Sequence, residues 1–347
     1  MHKIYVRPIG LSYGSNALKL IKNKKALPIC GNKNISFSQI EVIERDNKNK
    51  YSILDISQLY KLPKSIASTV KKKIKNISLK RKNLLKLNLL KFHIFGVLNV
   101  TPDSFSDGGK FNSSNKAIKH ANQMIKDGAS IIDIGGESTR PGAKLIPIKV
   151  EINRVAKIIF KLKKYYTSID TRKSQVMVEA VKNGAKIIND VSALDYDKNS
   201  LSTVIKLRKP VILNHSQGTP DIMQNNPKYK NVLLDIYDYF EDKINQLTRL
   251  GFPKNYIILD PGIGFGKNLA HNLNLISNVG IFHELGCPIM LGPSRKSFIG
   301  KIMKEKDSKD RLGGTLSAIL TGYNQGVQFF RVHDIKQTYE ALKVQEA

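Results

Sequence analysis

The segment Ile131-Ile132-Asp133-Ile134-Gly135-Gly136-Glu137-Ser138-Thr139-Arg140-Pro141-Gly142 sets one aspartate among isoleucines and runs straight into small residues and an arginine. Isoleucines on both sides of Asp133 suit a strand covered on both faces, where an unpaired carboxylate is costly or takes up a proton. Asp133 therefore needs a partner, and a polar ligand is one candidate. Gly135 and Gly136 let backbone approach a ligand closely, while Thr139 and Arg140 offer a hydroxyl and a planar fork suited to carboxylate or phosphate. Taken alone, the segment also reads as a strand-ending turn with a solvated arginine.

The pattern recurs along the chain. Asn99 ends an apolar run and precedes Val100-Thr101-Pro102-Asp103-Ser104-Phe105-Ser106-Asp107-Gly108-Gly109. Asp170, Asn189 with Asp190, Asn214 with His215, and Asp260 end further runs, Ser294-Arg295-Lys296-Ser297 follows another, and Arg331 and His333 close the last. One at a time, Asp170 and Asn189 read as helix caps, and Asp260, before Pro261-Gly262-Ile263-Gly264-Phe265-Gly266-Lys267, as the start of a glycine turn. His215 and His333 alone read as structural histidines. Together these residues describe a pocket. Asp170, Asn189 and Asp260 suit a flat heterocycle bearing amino, ring N–H and carbonyl groups, a pterin or a purine. Arg331 with His333, aided by Arg140, reads as an anion clamp, and Asn99 as a neutral oxygen ligand for a magnesium ion bridging phosphates. Lys296 suits the heterocycle carbonyl or an incoming carboxylate, to which Ser297 can donate. No Cys-His or Ser-His-Asp arrangement is evident at these positions, which favours transfer without a covalent enzyme intermediate.

The elements that must hold these residues repeat regularly from His93 onward. Strands are expected at His93–Asn99, Ser130–Ile134, Tyr165–Asp170, Ala185–Asp190, Pro210–His215, Tyr256–Asp260, Cys287–Gly292 and Val327–Val332, with helical stretches between them such as Lys149–Lys163 and Asn231–Leu250. Eight βα units with continuously apolar strands predict a closed parallel (β/α)8 TIM barrel, and no G-x-G-x-x-G opens the first helix as an open dinucleotide-binding sheet requires. In such a barrel every strand end faces one side, where barrel enzymes work. The chain therefore divides into a basic N-terminal α+β extension, 1–90, and a catalytic barrel, 91–347. The extension carries one alternating run, Ile40–Arg45, and a basic, helical-looking stretch from Leu62 to Leu90, with partly flexible connections expected.

Composition bounds the alternatives. The net charge of +29 suggests nucleic acid or an anionic surface, yet residues 1–91 hold 21 Lys and Arg against 4 Asp and Glu, and the remainder 36 against 24. The excess at the front is lysine scattered among asparagine and isoleucine, which reads as solvated charge. Only two cysteines, Cys30 and Cys287, are present, and neither a disulfide framework nor a zinc site is indicated. No apolar run spans a membrane and the start lacks a signal-peptide apolar region, so a cytoplasmic protein without membrane or nucleic-acid partners is expected.

From Lys91 to the C-terminus the chain resembles the dihydropteroate synthases, pterin-binding enzymes. The resemblance rests on Asn99 through Gly109, Asp133 through Gly142, Asp260 through Lys267, Ser294-Arg295-Lys296-Ser297 and Arg331-Val332-His333-Asp334, in the family's order. It implies condensation of (7,8-dihydropterin-6-yl)methyl diphosphate with p-aminobenzoate, Mg²⁺ at Asn99, and competition by sulfonamides as p-aminobenzoate mimics. It also implies the pterin against Asp170, Asn189, Asp260 and Lys296, and diphosphate near Thr139, Arg331 and His333, while Asp133 reads as the floor of the pterin pocket and Phe265 as a further substrate-binding residue. Asp103, Phe105, Arg140 and Pro141 belong to loops that close over p-aminobenzoate, with Ser297 on its carboxylate. Asp103, Lys296 and Arg331 are the expected catalytic residues, Asp103 orienting the amine or taking its proton, and a homodimer is the family precedent. Strand five departs from the family, reading Asn214-His215-Ser216-Gln217-Gly218 where methionine is common near Ser216. Two rival readings are a pterin-dependent methyltransferase, which needs no pair of closing loops, and a basic nucleic-acid-binding protein, which rests on charge alone.

Overall fold

A strand covered on one face alternates in sequence, and the run at Ile40–Arg45 does so within a longer hairpin. The computed structural model describes residues 3–46, 49–101, 110–138, 145–218, 227–305 and 307–347. Its first strand, β1 (Lys3–Tyr13), leads through α1 (Gly14–Lys22) and β2 (Leu27–Ile29) into β3 (Asn32–Arg45). β1 and β3 pair antiparallel from Lys3↔Arg45 to Tyr13↔Ile35, and β4 (Lys50–Asp55) lies along the second half of β3. Across this sheet packs α2 (Lys64–Ser78), whose buried Ile66, Val70, Ile74 and Ile77 share one helical stripe while its lysines populate the rest. The helix stops at Ser78, well short of the stretch to Leu90 that its composition suggested. Arg81 turns back to donate to Asn76 O at 2.8 Å and Leu79 O at 2.9 Å, satisfying carbonyls that a continuing helix would have used.

The rest is the barrel. Its strands and helices run β5 (His93–Asn99), α3 (Lys110–Lys126), β6 (Ile131–Gly135), α4 (Ile148–Lys161), β7 (Thr167–Asp170), α5 (Ser174–Lys182), β8 (Ile187–Asp190) and α6 (Ser200–Leu207). They continue with β9 (Val211–Asn214), α7 (Val232–Arg249), β10 (Ile257–Asp260), α8 (Leu269–Ser277), β11 (Met290–Leu291), α9 (Ser297–Met303), α10 (Leu312–Asn324), β12 (Phe329–Val332) and α11 (Ile335–Glu346). The parallel sheet has the order β10-β9-β8-β7-β6-β5-β12-β11, and a parallel bridge from Leu259 to Ile289 joins its two ends. The expected (β/α)8 barrel is therefore present.

Side chains along a strand alternate, so one parity faces the barrel axis. Phe95, Ile131, Ile187, Ile212, Ile258, Met290 and Phe329 form one apolar layer, closed from below by Leu84, Leu87 and Leu89 of the segment preceding β5. Two residues further along, the same parity brings Asp133, Asn189, Asn214, Asp260, Gly292 and Arg331 to the next level. The apolar floor and the polar mouth are one periodicity.

The extension docks on the barrel through charge as well as packing. Tyr5 and Ile43 join the barrel's main core, and the Tyr5 and Tyr237 rings meet edge to face at 5.0 Å. Arg45 donates to Asp238 at 2.9 Å, Lys3 pairs with Glu241 at 2.7 Å, and Tyr5 donates to Asp238 at 2.9 Å. Glu284, buried in the segment after α8, accepts from Val6 N at 2.7 Å, from Tyr237 Oη at 2.6 Å and from Lys73. Part of the charge expected to be merely solvated is thus spent against an acidic stripe of α7.

Removing one partner from a buried ion pair strands the other, at about 3–5 kcal/mol. Glu284→Leu should lower unfolding stability by about that amount in urea titrations. The double variant Lys73→Met, Glu284→Leu should lose distinctly less, because it strands no ammonium.

Candidate active site

Arg331, on β12, crosses the barrel mouth. Its Nε donates to Asp133 Oδ2 at 2.7 Å and its Nη2 to Asp170 Oδ2 at 2.7 Å. Asn189 Nδ2 adds a third bond, to Asp133 Oδ2 at 3.1 Å. The partner that Asp133 required is therefore a protein guanidinium, donated from 198 positions away. Asp133 is fully buried, and its Oδ1 has no hydrogen-bond partner among the described residues. Burial pushes the Asp170 carboxyl up, to about 7, against the pull of Arg331 and with the help of the Asp133 charge. Burial also opposes the charge on Arg331, but the two carboxylates outweigh it and hold the guanidinium above its ordinary pKa.

Beside this triad lies a cleft of about 350 Å³, lined among others by Asp170, Asn189, Asn214, Asp260, Phe265 and Lys296. Asp260 ends β10 and accepts from Gly262 N at 2.8 Å, and burial raises its pKa. That tight turn needs glycine: Gly262 has φ +68°, and a Cβ there would lie 1.9 Å from His215 O. The same loop brings Phe265 under Lys296, whose Nζ stands 3.6 Å from the ring centroid. Burial, and then the charge of Arg331, lower the Lys296 pKa to about 7.

His333 sits at the rim, its Nδ1 3.1 Å from Ser294 Oγ, which also accepts from His333 N at 3.2 Å. Burial and the neighbouring Arg331 bring its pKa down to about 3, so it is a neutral imidazole. The anion clamp expected of Arg331 and His333 thus consists, in this structure, of a cation already engaged with two carboxylates and an uncharged ring. Ser297 is exposed at the first position of α9, and Asn99 is half-buried at the end of β5. Neither Asp170 nor Asn189 caps a following helix; both face the mouth. Asp103, Phe105, Thr139, Arg140 and Pro141 lie outside the described residues.

Two supports were not read from the sequence. Lys173 Nζ donates to Glu137 at 2.7 Å, to Glu151 at 2.8 Å and to Ile146 O at 2.8 Å, tying together both stems of the loop that carries residues 139–144. Lys267, buried, donates to Phe265 O at 2.8 Å and His215 O at 3.1 Å, fastening the loop after β10 to the end of β9. Lysines following strands look solvated in sequence. No local signal marks them as buried.

A lysine whose folded pKa lies below its ordinary value holds its proton less firmly in the folded chain than in the unfolded one. Lys296 therefore opposes folding most below about 7, and this opposition fades as pH rises toward 10.5. Lys296→Met should raise the urea midpoint more at about pH 6 than at about pH 9.5, and an equal gain at both would show that the ammonium is not burdened by burial.

The geometry can be set beside known proteins. The pterin binding enzyme family model matches residues 95–333. Dihydropteroate synthase of Escherichia coli (strain K12) is 44% identical over 264 residues, covering 75% of this chain and 93% of that protein. The Bacillus subtilis (strain 168) dihydropteroate synthase is 40% identical over 257 residues, covering 73% of this chain and 87% of the relative. Among solved structures, Yersinia pestis dihydropteroate synthase with a sulfonamide drug complex superimposes with a TM-score of 0.71 at 40% identity, over 75% of this chain and 95% of the other. Xanthomonas albilineans dihydropteroate synthase in complex with 7,8-dihydropteroate gives 0.68 at 35% identity, over 75% and 94%. This chain belongs to the family of pterin binding enzymes, alongside the dihydropteroate synthases.

Proposed function

We propose that the barrel mouth condenses (7,8-dihydropterin-6-yl)methyl diphosphate with p-aminobenzoate, giving 7,8-dihydropteroate and diphosphate. The observation that carries this reading is the cleft where Asp170, Asn189 and Asp260 stand beside Lys296 and Arg331, in a chain of this family. The Xanthomonas albilineans relative has been solved with 4-aminobenzoic acid, the second substrate of the reaction. Asp170, Asn189 and Asp260 hold the amino and N–H groups of the heterocycle, and Lys296 over Phe265 faces its carbonyl. The C–O bond to diphosphate breaks, positive charge develops on the pterin methylene, the aryl amine forms the new C–N bond, and the amine loses a proton. Fixed charges do the work: the carboxylates of Asp133 and Asp170 favour the methylene cation, and Arg331 balances them as the anion leaves. Asp103 is the candidate for orienting the amine or accepting its proton, and closed loops keep water from the cation.

Magnesium fits this site in one form only. Gly135 leaves open the space between Asn99 and Asp170, where a Cβ would lie 3.5 Å from Asn99 Oδ1 and 3.6 Å from Asp170 Oδ2. Among the described residues no cluster of three or more His, Cys, Asp or Glu could hold a metal. A single amide oxygen suits a Mg²⁺ that keeps its waters and binds the substrate's phosphates, with Asn99 as its protein ligand. When bound, the ion neutralises charge on the departing diphosphate. The reading includes a homodimer, on the family precedent, and a reducing cytoplasmic setting, supported by two free, buried cysteines. Docking of Lys3, Arg45 and Lys73 on the barrel gives the nucleic-acid reading less basis.

The protein incubated with the pterin diphosphate, Mg²⁺ and p-aminobenzoate should release dihydropteroate and diphosphate, chelation should stop it, and a sulfonamide should compete with p-aminobenzoate. A folded protein that makes no product would refute the proposal. Asp103→Asn should cost about 100-fold or more in kcat/KM, a loss typical of a missing proton acceptor; full turnover with unchanged KM for p-aminobenzoate would remove Asp103 from the mechanism.

A further inference from the structure

Asn214 ends β9 at the inward position two residues beyond Ile212, on the level occupied by Asn189, Asp260 and Arg331. It is 6% exposed and lines the cleft, yet its Oδ1 makes no hydrogen bond among the described residues. A buried carbonyl left unpaired is costly, and an apolar side chain of similar volume would avoid that cost. Among the described residues no internal donor pairs with that carbonyl. Asn189, on the neighbouring strand, does have an internal task, since it donates to Asp133.

The surroundings point to a ligand that donates. Asn214 pairs in register with Asp260 on the adjacent strand, and Asp260 Oδ1 is already occupied by Gly262 N. Asp260 Oδ2 stands on the cleft side, 3.8 Å from where a side chain on Gly292 would begin. Asn214 Oδ1 lies against the Gly262 turn, 3.0 Å from where a Cβ on that glycine would sit, which holds the amide at the cleft wall. Asn214 and Asp260 thus line the cleft together from adjacent strands. An exocyclic amino group next to a ring N–H presents two donors on one edge, one for each of these side chains.

We infer that Asn214 is a specificity-determining residue: its amide carbonyl, beside the Asp260 carboxylate, accepts from the amino and N–H edge of the substrate heterocycle. It thereby favours an amino-substituted pteridine over the analogue carrying oxygen at that position. The inference rests on the pterin reading above. A site built to accept a hydrogen bond rejects a ligand lacking the donor, because the buried acceptor then stays unpaired.

The test uses the full chain, which contains no tryptophan, so pterin fluorescence can be followed without indole background. Equilibrium binding of 6-hydroxymethylpterin and of the matching 2-oxo compound, 6-hydroxymethyllumazine, is measured for the parent, Asn214→Leu and Asn214→Asp. Loss of the hydrogen bond should weaken the pterin about 10- to 100-fold in Asn214→Leu and the lumazine less than about 3-fold, collapsing the preference. Asn214→Asp keeps an acceptor and should retain the preference. An unchanged preference in a folded leucine variant overturns the inference; if that variant does not fold, Asn214→Met is read by the same criterion. A parent that makes dihydropteroate but shows a preference indifferent to position 214 overturns this inference alone, whereas a parent that binds neither heterocycle overturns the pterin reading with it.

Discussion

One guanidinium sets the terms for the barrel mouth. Arg331 is shared between Asp133 and Asp170, two buried carboxylates that could not both stay ionised near one another without it. Because one cation serves two anions, the group keeps a residual demand for positive charge. In the proposed reaction that demand is answered by the charge developing on the substrate's methylene. Burial first, and then the Asp133 charge, draws Asp170 upward in pKa despite its salt bridge, while burial first, and then Arg331, draws Lys296 and His333 downward. Burial makes every one of these charges expensive, and their mutual placement decides which of them survive.

Around the mouth, long-range fasteners hold the loops at fixed heights. Lys173 ties the two stems after β6 to α4, Lys267 ties the loop after β10 to the end of β9, and Arg295 ties the loop after β11 to Asp334 at 3.0 Å. Each of the three is a basic side chain that reaches at least one partner on a different element. They restrain positions where backbone alone would be slack, which suits a site that must hold a heterocycle rigidly while neighbouring segments admit a second substrate.

The extension illustrates how composition can mislead. Its excess of lysine reads as a polyanion-binding arm or as solvated surface, but Lys3, Arg45 and Lys73 meet Asp235, Asp238, Glu241 and Glu284 of the barrel. The helical-looking stretch from Leu62 splits in two: α2 covers the sheet, and Leu84, Leu87 and Leu89 leave the helix to floor the barrel. Their leucines have no helical or strand rhythm that distinguishes the two tasks.

The eight βα units, the parity that directs Asp133, Asn189 and Asp260 inward, and the gathering of polar strand ends on one side were legible in the sequence, because burial pattern and period are local properties. What the sequence left open was pairing. Arg331 meets Asp133 across 198 positions, Lys173 is buried although it looks like a surface lysine, and Asn214 reaches the cleft with an unpaired carbonyl. These depend on ring closure, which brings the eighth strand beside the first and sets each strand's height against its neighbours; no run of adjacent residues carries that information.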